Sequence, residues 1–198
     1  MDKSVSRRDV LRTLTAGVTA GSVLRVIPLQ AAQHAHQMVK QKKAAAPSGS
    51  YAPKYFTAHQ YKTLRALCQT IFPPDEQAGG ALEAGAPEFI DLLTSENKDY
   101  QRRLGGGIIW LDAACAGRFG NVYLECAPAD QKSILDLIAY RQNAEKDASL
   151  SAGVHFFEFL RNLTADGFFT SEIGIKYLGY VGNDYLAEFP GCPPVPGA

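Results

Sequence analysis

Apolar residues recur every three or four positions through most of the chain after residue 56, a spacing that predicts amphipathic helices. Capping and turn residues separate the apolar runs. Thr57 precedes the first run, Pro87 and Pro128 open the second and fourth, and Gly120 follows the third. No segment alternates apolar and polar residues with period two. The sequence therefore predicts an all-α domain of about five helices, which span approximately residues 57–72, 87–93, 97–119, 128–143 and 150–165.

Three consecutive glycines, Gly105 to Gly107, interrupt the third predicted helix. Each glycine costs about 1 kcal/mol relative to alanine in a helix interior. The apolar stripe from Tyr100 to Phe119 nevertheless continues through them at steps of three and four residues. We therefore expect this helix either to pack closely against a neighbour or to be kinked.

Both ends of the chain lack a helical pattern. Residues 33–54 are polar and alanine-rich and contain proline and glycine, which predicts a flexible linker before the folded domain of residues 55–192. After the fifth helix, Asp166 and Gly167 predict a turn into a tail rich in aromatic residues and glycine. Residues 193–198 are predicted to be coil.

A net charge of zero hides an asymmetry between the two ends of the chain. Residues 1–46 carry eight basic and two acidic side chains, whereas the remaining residues carry 12 basic and 18 acidic ones. All 20 aromatic residues follow residue 50. An acidic, aromatic-rich domain without a basic stripe argues against nucleic acid as a partner.

The basic N-terminus contains the pattern of a twin-arginine export signal. Only 12 uncharged residues lie between Arg12 and Arg25, fewer than the roughly 20 that a bilayer-spanning helix needs. We interpret residues 1–32 as this signal and expect a periplasmic protein. Ala31 or Ala32 would serve as a cleavage site, but no clean Ala-x-Ala precedes Gln33, so slow removal or retention of the signal stays open. The alternative is an ordinary basic N-terminus. The signal residues are Ser6, Arg7, Arg8, Asp9, Val10 and Leu11.

Twin-arginine export carries folded proteins, commonly because a cofactor is inserted before export. The sequence offers no cofactor motif that would explain the use of this route. The chain has no C-x-x-C-H, P-loop, G-x-S-x-G or H-E-x-x-H motif, and no G-x-G-x-x-G after a strand. We expect His34 and His36 to be solvated in the linker, His59 to be exposed, and His155 to be packed and hydrogen-bonded. The sequence therefore predicts no catalytic residue, cofactor or metal site in this chain.

Four cysteines allow two disulfides in three connectivities in an oxidising compartment. Folding in the reducing cytoplasm before export weakens that interpretation. Cys68 and Cys115 lie on apolar helix faces and are predicted to be small buried residues. Cys126 and Cys192 lie in or beside proline-rich loops and are the candidates for a single bridge.

Four segments together carry a family resemblance: FT at 56–57 leading into LCQTIFP at 67–73, GALEAGAPEFID at 80–91, FFEFLR at 156–161 and TADGFFTS at 164–171. In order and spacing they resemble the gluconate 2-dehydrogenase subunit 3 family, the small subunits of membrane-associated gluconate 2-dehydrogenase and related flavin-dependent sugar dehydrogenases. The twin-arginine start is also typical of that family. Where members linked to gluconate oxidation commonly have a glycine-asparagine-rich stretch, this chain has SEIGIKYLGY, which indicates a divergent branch.

The resemblance implies a small partner of a large FAD-dependent dehydrogenase of the glucose–methanol–choline type. The large subunit would oxidise a sugar or polyol and pass electrons to a cytochrome c subunit, and the chain would be associated with the membrane through this complex. The small subunit would carry no redox centre; it would support folding of the flavoprotein and take it through the twin-arginine translocase. Exposed aromatic residues would form the docking site, with one of the two phenylalanines expected in the core. The candidates are Phe168, Phe169, Tyr177, Tyr180 and Tyr185.

Two other functions stay open at this point. One is an enzyme whose site is assembled from dispersed residues, including His155 and nearby carboxylates. The other is a stand-alone periplasmic binding or structural protein. Activity of the purified chain without a partner would favour the first, and a genome neighbourhood without an oxidoreductase would favour the second.

Overall fold

The computed structural model describes residues 27–46 and 50–180, and the twin-arginine residues, Tyr185 and Cys192 lie outside this part of the chain. Within the described residues all regular structure is helical, which confirms the predicted all-α class. The helices are α1 (Leu29–Ala45), α2 (Ala58–Ile71), α3 (Ala86–Glu96), α4 (Gly106–Phe119), α5 (Pro128–Ile138), α6 (Arg141–Lys146), α7 (Ser151–Phe169) and α8 (Glu172–Tyr177).

Helix α7 is the centre of the fold and contacts every helix from α2 to α6 as well as α8. Its apolar residues follow the three-to-four spacing of a buried helix face, while Arg161 and Asn162 stay exposed on the opposite side. Helices α2 to α6 and α8 therefore bury their apolar faces against one shared helix. The buried side chains of α7 include Val154, Phe156, Phe157, Leu160 and Leu163.

The predicted helix ends are confirmed where capping residues marked them. Thr57 and Gln60 form a capping box, in which the Gln60 amide donates to Thr57 Oγ1 at 3.3 Å and the Thr57 amide donates to Gln60 Oε1 at 3.2 Å. Gly120 ends α4 with a left-handed φ of 80°, a conformation that glycine adopts without steric cost.

A buried carboxylate fixes the chain that leads into α2. Asp91, on α3, is fully buried. Its Oδ2 accepts from the Tyr51 hydroxyl at 2.8 Å and the Lys54 amide at 2.7 Å, and its Oδ1 accepts from the Tyr55 and Phe56 amides at 3.1 Å each. Four donors offset the cost of burying this charge. Residues 51–56 are therefore tied to α3 although they form no helix.

The glycine run of the third predicted helix allows close packing against a neighbouring helix, which was one of the two expectations. A Cβ on Gly107 would lie 2.0 Å from the Phe156 ring of α7, and a Cβ on Gly153 of α7 would lie 2.2 Å from the Trp110 ring of α4. Each helix thus places an aromatic ring over a glycine of the other. A π-helical segment, Gln101–Gly105, leads into α4.

The prediction of a flexible linker at residues 33–54 is wrong for its first part, since α1 extends to Ala45. Ala32, Ala35 and Val39 are buried at helical spacing, and α1 packs on α3. Alanine contributes little apolar surface to a sequence pattern, but its small side chain lets two helices approach closely. The core thus includes residues that composition had assigned to a linker and to the end of the signal.

Two further boundaries differ from the prediction. Helix α7 runs through Asp166 and Gly167 to Phe169 instead of turning there, because Gly167 faces α3, where a Cβ would lie 3.0 Å from that of Ala86. The aromatic tail then contains α8. The fourth predicted helix is two helices, α5 and α6, which are separated by two residues.

No helix within residues 27–46 or 50–180 is long and apolar enough to cross a membrane.

Candidate partner interface

An aromatic cluster closes the C-terminal end of α7. The Phe168 ring stacks on Phe72 with 4.6 Å between centroids and meets Phe169 edge-on at 5.1 Å. The Tyr177 ring lies 6.3 Å from Phe168. Phe168 is only 2% exposed, so it is the core member of the phenylalanine pair, and its place in the predicted docking site is corrected. Phe169 is half-buried.

Helix α8 is held tightly against the end of α7. Ser171 caps it by accepting from the Gly174 amide at 3.1 Å, while its own hydroxyl donates to the Phe168 carbonyl at 2.6 Å. A Cβ on Gly174 would lie 2.1 Å from that carbonyl oxygen, so only glycine permits this approach. The position of α8 is therefore set by backbone contact.

The end of α8 presents large apolar side chains to solvent. Gly179 adopts a φ of 64° and the Tyr180 amide donates to the Ile175 carbonyl at 3.2 Å, which is a Schellman motif. The helix therefore stops with Tyr177, Leu178 and Tyr180 exposed by 45, 57 and 43%. We call these three residues the C-terminal apolar patch.

The sequence placed three tyrosines in a docking site, and the two that the structure describes, Tyr177 and Tyr180, both belong to the patch. It also contains Leu178, which the search for aromatic residues missed. Tyr185 lies outside the described residues, so its assignment stays a prediction. Tyrosines that present an apolar ring and a polar hydroxyl are enriched at binding hot spots, and grouped exposed apolar side chains often mark binding sites. The arrangement fits a protein-binding surface.

A cleft of about 460 Å³ lies between α1 and the start of α8 and contains His36, Lys40, Thr170 and Glu172 in its wall. The His36 ring stacks on Phe89 at 4.8 Å, and its Nε2 lies 3.0 Å from Thr170 Oγ1. Burial, followed by the charge of Lys40, lowers the pKa of His36 from 6.5 to about 4. The imidazole is neutral at pH 7 and packs between helices, so the expectation of a solvated His36 is wrong.

A second buried carboxylate joins three helices. Glu88 of α3 is almost fully buried, with Oε1 3.0 Å from Lys43 Nζ of α1 and 3.7 Å from an Arg65 nitrogen of α2. Two cations compensate the desolvated charge. This network anchors α1 to the part of the core formed by α2 and α3.

A model of a known protein family matches the chain. The model of the family described as gluconate 2-dehydrogenase subunit 3 matches residues 58–191, more than half of the chain. The chain belongs to this family. No curated protein matches it, and no solved structure matches it. The gluconate 2-dehydrogenase subunit 3 family is that of an accessory subunit of a multi-subunit enzyme.

The matched span includes the elements that build the core of this subunit 3 chain. Asp91 and Glu88 both lie in the segment 80–91 that suggested the resemblance, and the segment 156–161 supplies the centre of α7. Helix α1 precedes the match, yet its buried alanines and Lys43 are part of the same core. The fold of this subunit 3 chain thus extends beyond the family match at its N-terminal side.

Two other histidines of the subunit 3 chain have a described bond, His59 between two helices and His155 within its own helix. His59 is exposed as predicted and lies 2.7 Å from an Asp112 oxygen, whereas His155 is exposed rather than packed and its Nδ1 donates to the Ser151 carbonyl at 2.8 Å. His36, His59 and His155 lie on three different helices and bond to three different residues, Thr170, Asp112 and Ser151. Within the part of the chain that the structure describes, no group of three or more histidine, cysteine, aspartate or glutamate side chains could hold a metal ion.

Proposed function

We propose that this chain is the non-catalytic small subunit of an exported FAD-dependent sugar or polyol dehydrogenase. Membership of the gluconate 2-dehydrogenase subunit 3 family over residues 58–191 carries this proposal. The flavin belongs to the large subunit, of the glucose–methanol–choline type, which oxidises the substrate. Electrons then pass from the flavoprotein to a cytochrome c, so this chain holds no redox centre and contributes binding surface.

The C-terminal apolar patch is proposed to contact the flavoprotein. Binding would remove Tyr177, Leu178 and Tyr180 from water, and a large apolar side chain gains about 1.5–3 kcal/mol when it is fully buried. Backbone contact between α8 and α7 fixes the helix that leads to these side chains before the partner arrives, which reduces the entropy lost on binding. A rigid apolar surface of this kind can also stabilise the flavoprotein while it folds.

The paired arginines Arg7 and Arg8 are proposed to export the whole complex to the periplasm. A flavoprotein that binds FAD in the cytoplasm can cross the membrane only in its folded state. A folded partner with a twin-arginine signal can carry it through the translocase. This division of labour would explain why an accessory chain has a signal for folded proteins.

Affinity purification from the native host tests the proposal. The full chain, tagged at its C-terminus, should co-purify with a yellow protein that has flavin absorbance and oxidises a sugar or polyol when a dye acceptor is supplied. The tagged chain alone should show neither property. Recovery of a clean monomer, or sugar oxidation by the chain without any partner, would contradict the proposal.

A surface variant tests the docking site separately. Replacing Tyr177 and Leu178 by serine should weaken flavoprotein binding by about tenfold or more, because truncating hot-spot residues costs upwards of about 1–2 kcal/mol each. Tyr140→Ser is the matched control, since Tyr140 is 65% exposed between α5 and α6 and away from the patch. Equal affinity of both variants in a titration with the flavoprotein would exclude the patch as the docking site.

A further inference from the structure

The C-terminal apolar patch is small for a docking surface. Its three side chains are each about half exposed. Since a buried aromatic side chain contributes about 150–250 Å², the three offer roughly 300 Å² together. A specific interface between two proteins buries about 800 Å² on each partner. A stable complex with the flavoprotein therefore needs a second contact surface on this chain.

A groove of about 460 Å³ lies between the first turns of α4 and α7. Trp110 and Phe156 give it an apolar wall, and Trp110 is partly exposed. Gly106 keeps the groove open, because a Cβ on that residue would meet nothing within 4 Å. Ile109, three positions further along α4, is 63% exposed and neighbours Gly106 on the helix surface. Exposed apolar side chains that are grouped in this way often mark binding sites.

An irregular turn forms one side of the groove. The π-helical segment Gln101–Gly105 contains Arg102 and Arg103, and both arginines line the groove. π-Helical turns are rare within helices and are frequent at functional sites. Arg102 also lines an adjoining depression together with Lys98 and Tyr55, so the surface continues past the groove. The chain thus departs from regular helix geometry at the place where basic side chains adjoin an apolar groove.

The surface beside the groove is basic, although the domain as a whole is acidic. Residues 98–103, KDYQRR, carry three basic side chains and one acidic one. Residues 47–198 carry 12 basic and 18 acidic side chains. A local positive potential attracts negatively charged partners and raises the rate at which they associate. Charge complementarity therefore favours an acidic segment as the occupant of the groove.

Both arginines are held in place for a carboxylate. Asp99 Oδ1 lies 3.3 Å from a nitrogen of Arg102, and its Oδ2 accepts from Arg103 Nε at 2.8 Å. Each contact uses one nitrogen of a planar group with five N–H donors, so donors remain on both guanidinium groups. The Arg103 guanidinium also lies over the Phe159 ring, 5.1 Å from its centroid. These contacts limit the entropy that is lost when a partner carboxylate binds.

We propose that the groove between α4 and α7 binds an acidic segment of the flavoprotein, in addition to the contact at the C-terminal apolar patch. The inference rests on the proposed function, which supplies the partner. Carboxylates of the segment pair with Arg102 and Arg103, and an apolar side chain of the segment packs on Trp110 through the opening at Gly106. Arginine and tryptophan are among the residue types that are enriched in binding hot spots.

Substitutions of opposite charge at Gly106 test the groove. Gly106→Glu should weaken binding of the purified flavoprotein by about tenfold or more, because its carboxylate competes for the arginines and repels the acidic segment. Gly106→Lys adds a side chain of similar length and should bind the flavoprotein about tenfold more tightly than Gly106→Glu does. Gly117→Glu and Gly117→Lys are matched controls on α4, since a Cβ on Gly117 also meets nothing within 4 Å. Equal affinities of the two Gly106 variants in a titration would overturn the proposal.

The salt dependence of binding gives a second measurement that leaves the groove unfilled. Arg102→Gln should flatten the decrease of affinity with rising salt concentration, because one ion pair with the partner is lost. Lys132→Gln is its control, since Lys132 has a similarly exposed side chain in an ion pair with Asp136. An unchanged salt dependence for Arg102→Gln would contradict the inference.

Photo-cross-linking from position 109 identifies the occupant of the groove. With benzoylphenylalanine in place of Ile109, we expect a cross-link to a flavoprotein peptide rich in aspartate or glutamate. A cross-link to a second copy of this chain, or to residues 181–198 of this chain, would show that the assigned occupant is wrong. The proposed function fails if the flavoprotein does not bind the wild-type chain at all. Flavoprotein that binds the wild type and every groove variant equally refutes the groove alone.

Discussion

Gly106 and Gly107 are consecutive residues of α4 with opposite surroundings. A Cβ on Gly107 would overlap the buried Phe156 ring, whereas a Cβ on Gly106 would meet nothing within 4 Å. Gly107→Ala should therefore destabilise the fold by about 1–3 kcal/mol, because the ring must move out of a packed core. Gly106→Ala should stabilise it by up to about 1 kcal/mol through helix propensity.

Urea unfolding of the two variants measures both effects against the wild type. The pair differs only in the direction of the added methyl group, so propensity contributes similarly to each. Similar stabilities for the two alanine variants would show that α4 and α7 do not meet at Gly107.

His36 gives the fold an acid-sensitive contact. Its pKa lies at about 4 in the folded chain and near the ordinary 6.5 in the unfolded chain, so protonation favours unfolding. The contribution of neutral His36 to the free energy of unfolding is complete above pH 6.5 and is lost as the pH falls toward 4. Between pH 7 and pH 5 the loss should be about 2 kcal/mol. Comparing urea unfolding of wild type and His36→Gln at both pH values isolates it, and identical pH dependence would contradict the assignment.

Asp166 should act in the opposite direction and serves as an internal comparison. Burial raises the pKa of its carboxyl from 3.8 to about 6, so the folded chain favours the neutral form. Its contribution is largest below pH 3.8 and is lost as the pH rises through 6. The neutral Asp166 carboxyl should therefore make the wild type more stable as the pH falls from 7 to 5, and Asp166→Asn should remove this gain. Asp166→Asn and His36→Gln should thus change the pH dependence of the free energy of unfolding in opposite directions.

At the scale of elements, α1 bears on how the export signal is removed. Ala31 and Ala32, the residues proposed at the cleavage site, lie inside this helix, and Ala32 is fully buried. Proteases cut exposed, locally unfolded segments. We therefore expect the exported chain to retain both alanines, with any cleavage before Leu29.

Intact mass and N-terminal sequencing of the exported chain measure this directly. Val39→Asp, which places a charge at a buried position of α1, should loosen the helix and allow cleavage at the alanines. Gln37→Glu changes an exposed position of the same helix and should not. A wild-type N-terminus at Ala32 or Gln33 would show that α1 is not held in the core.

The helices that could be predicted from the sequence are those with strong caps and large apolar residues. Thr57, Pro87, Pro128 and Gly120 marked their ends correctly because each acts on local backbone geometry. Helix α1 was not predicted, because its buried face is mostly alanine and gives a weak apolar signal. The continuation of α7 through Gly167 depends on the distant residue Ala86, which no local pattern reveals.

The candidate docking site was predictable only in part for a similar reason. Composition indicated that aromatic residues at the end of the domain could bind a partner, but only packing decides which of their rings are buried. Phe168 enters the core against Phe72, which precedes it by 96 residues, whereas Tyr177 follows it by nine and is exposed.

For the molecule as a whole, the export proposal predicts shared transport. Replacing Arg7 and Arg8 by lysine should leave both this chain and its flavoprotein in the cytoplasm, because one signal would serve both. Fractionation followed by flavin and dehydrogenase assays of the periplasm measures this. Lys3→Arg is a suitable control, since it preserves charge outside the arginine pair. Periplasmic flavoprotein in cells that carry the lysine variant would show that it has a signal of its own.

The four hydrogen bonds of Asp91 have a consequence for the segment that they hold. Loop amides usually exchange with deuterium within seconds to minutes, yet those of Lys54, Tyr55 and Phe56 should be protected nearly as long as amides of α3, since opening them strands a buried charge. Deuterium uptake followed residue by residue would record a slow stretch inside an irregular segment. Asp91→Ala removes both acceptor oxygens and should release all three amides together, so that a single carboxylate holds the entire approach to α2.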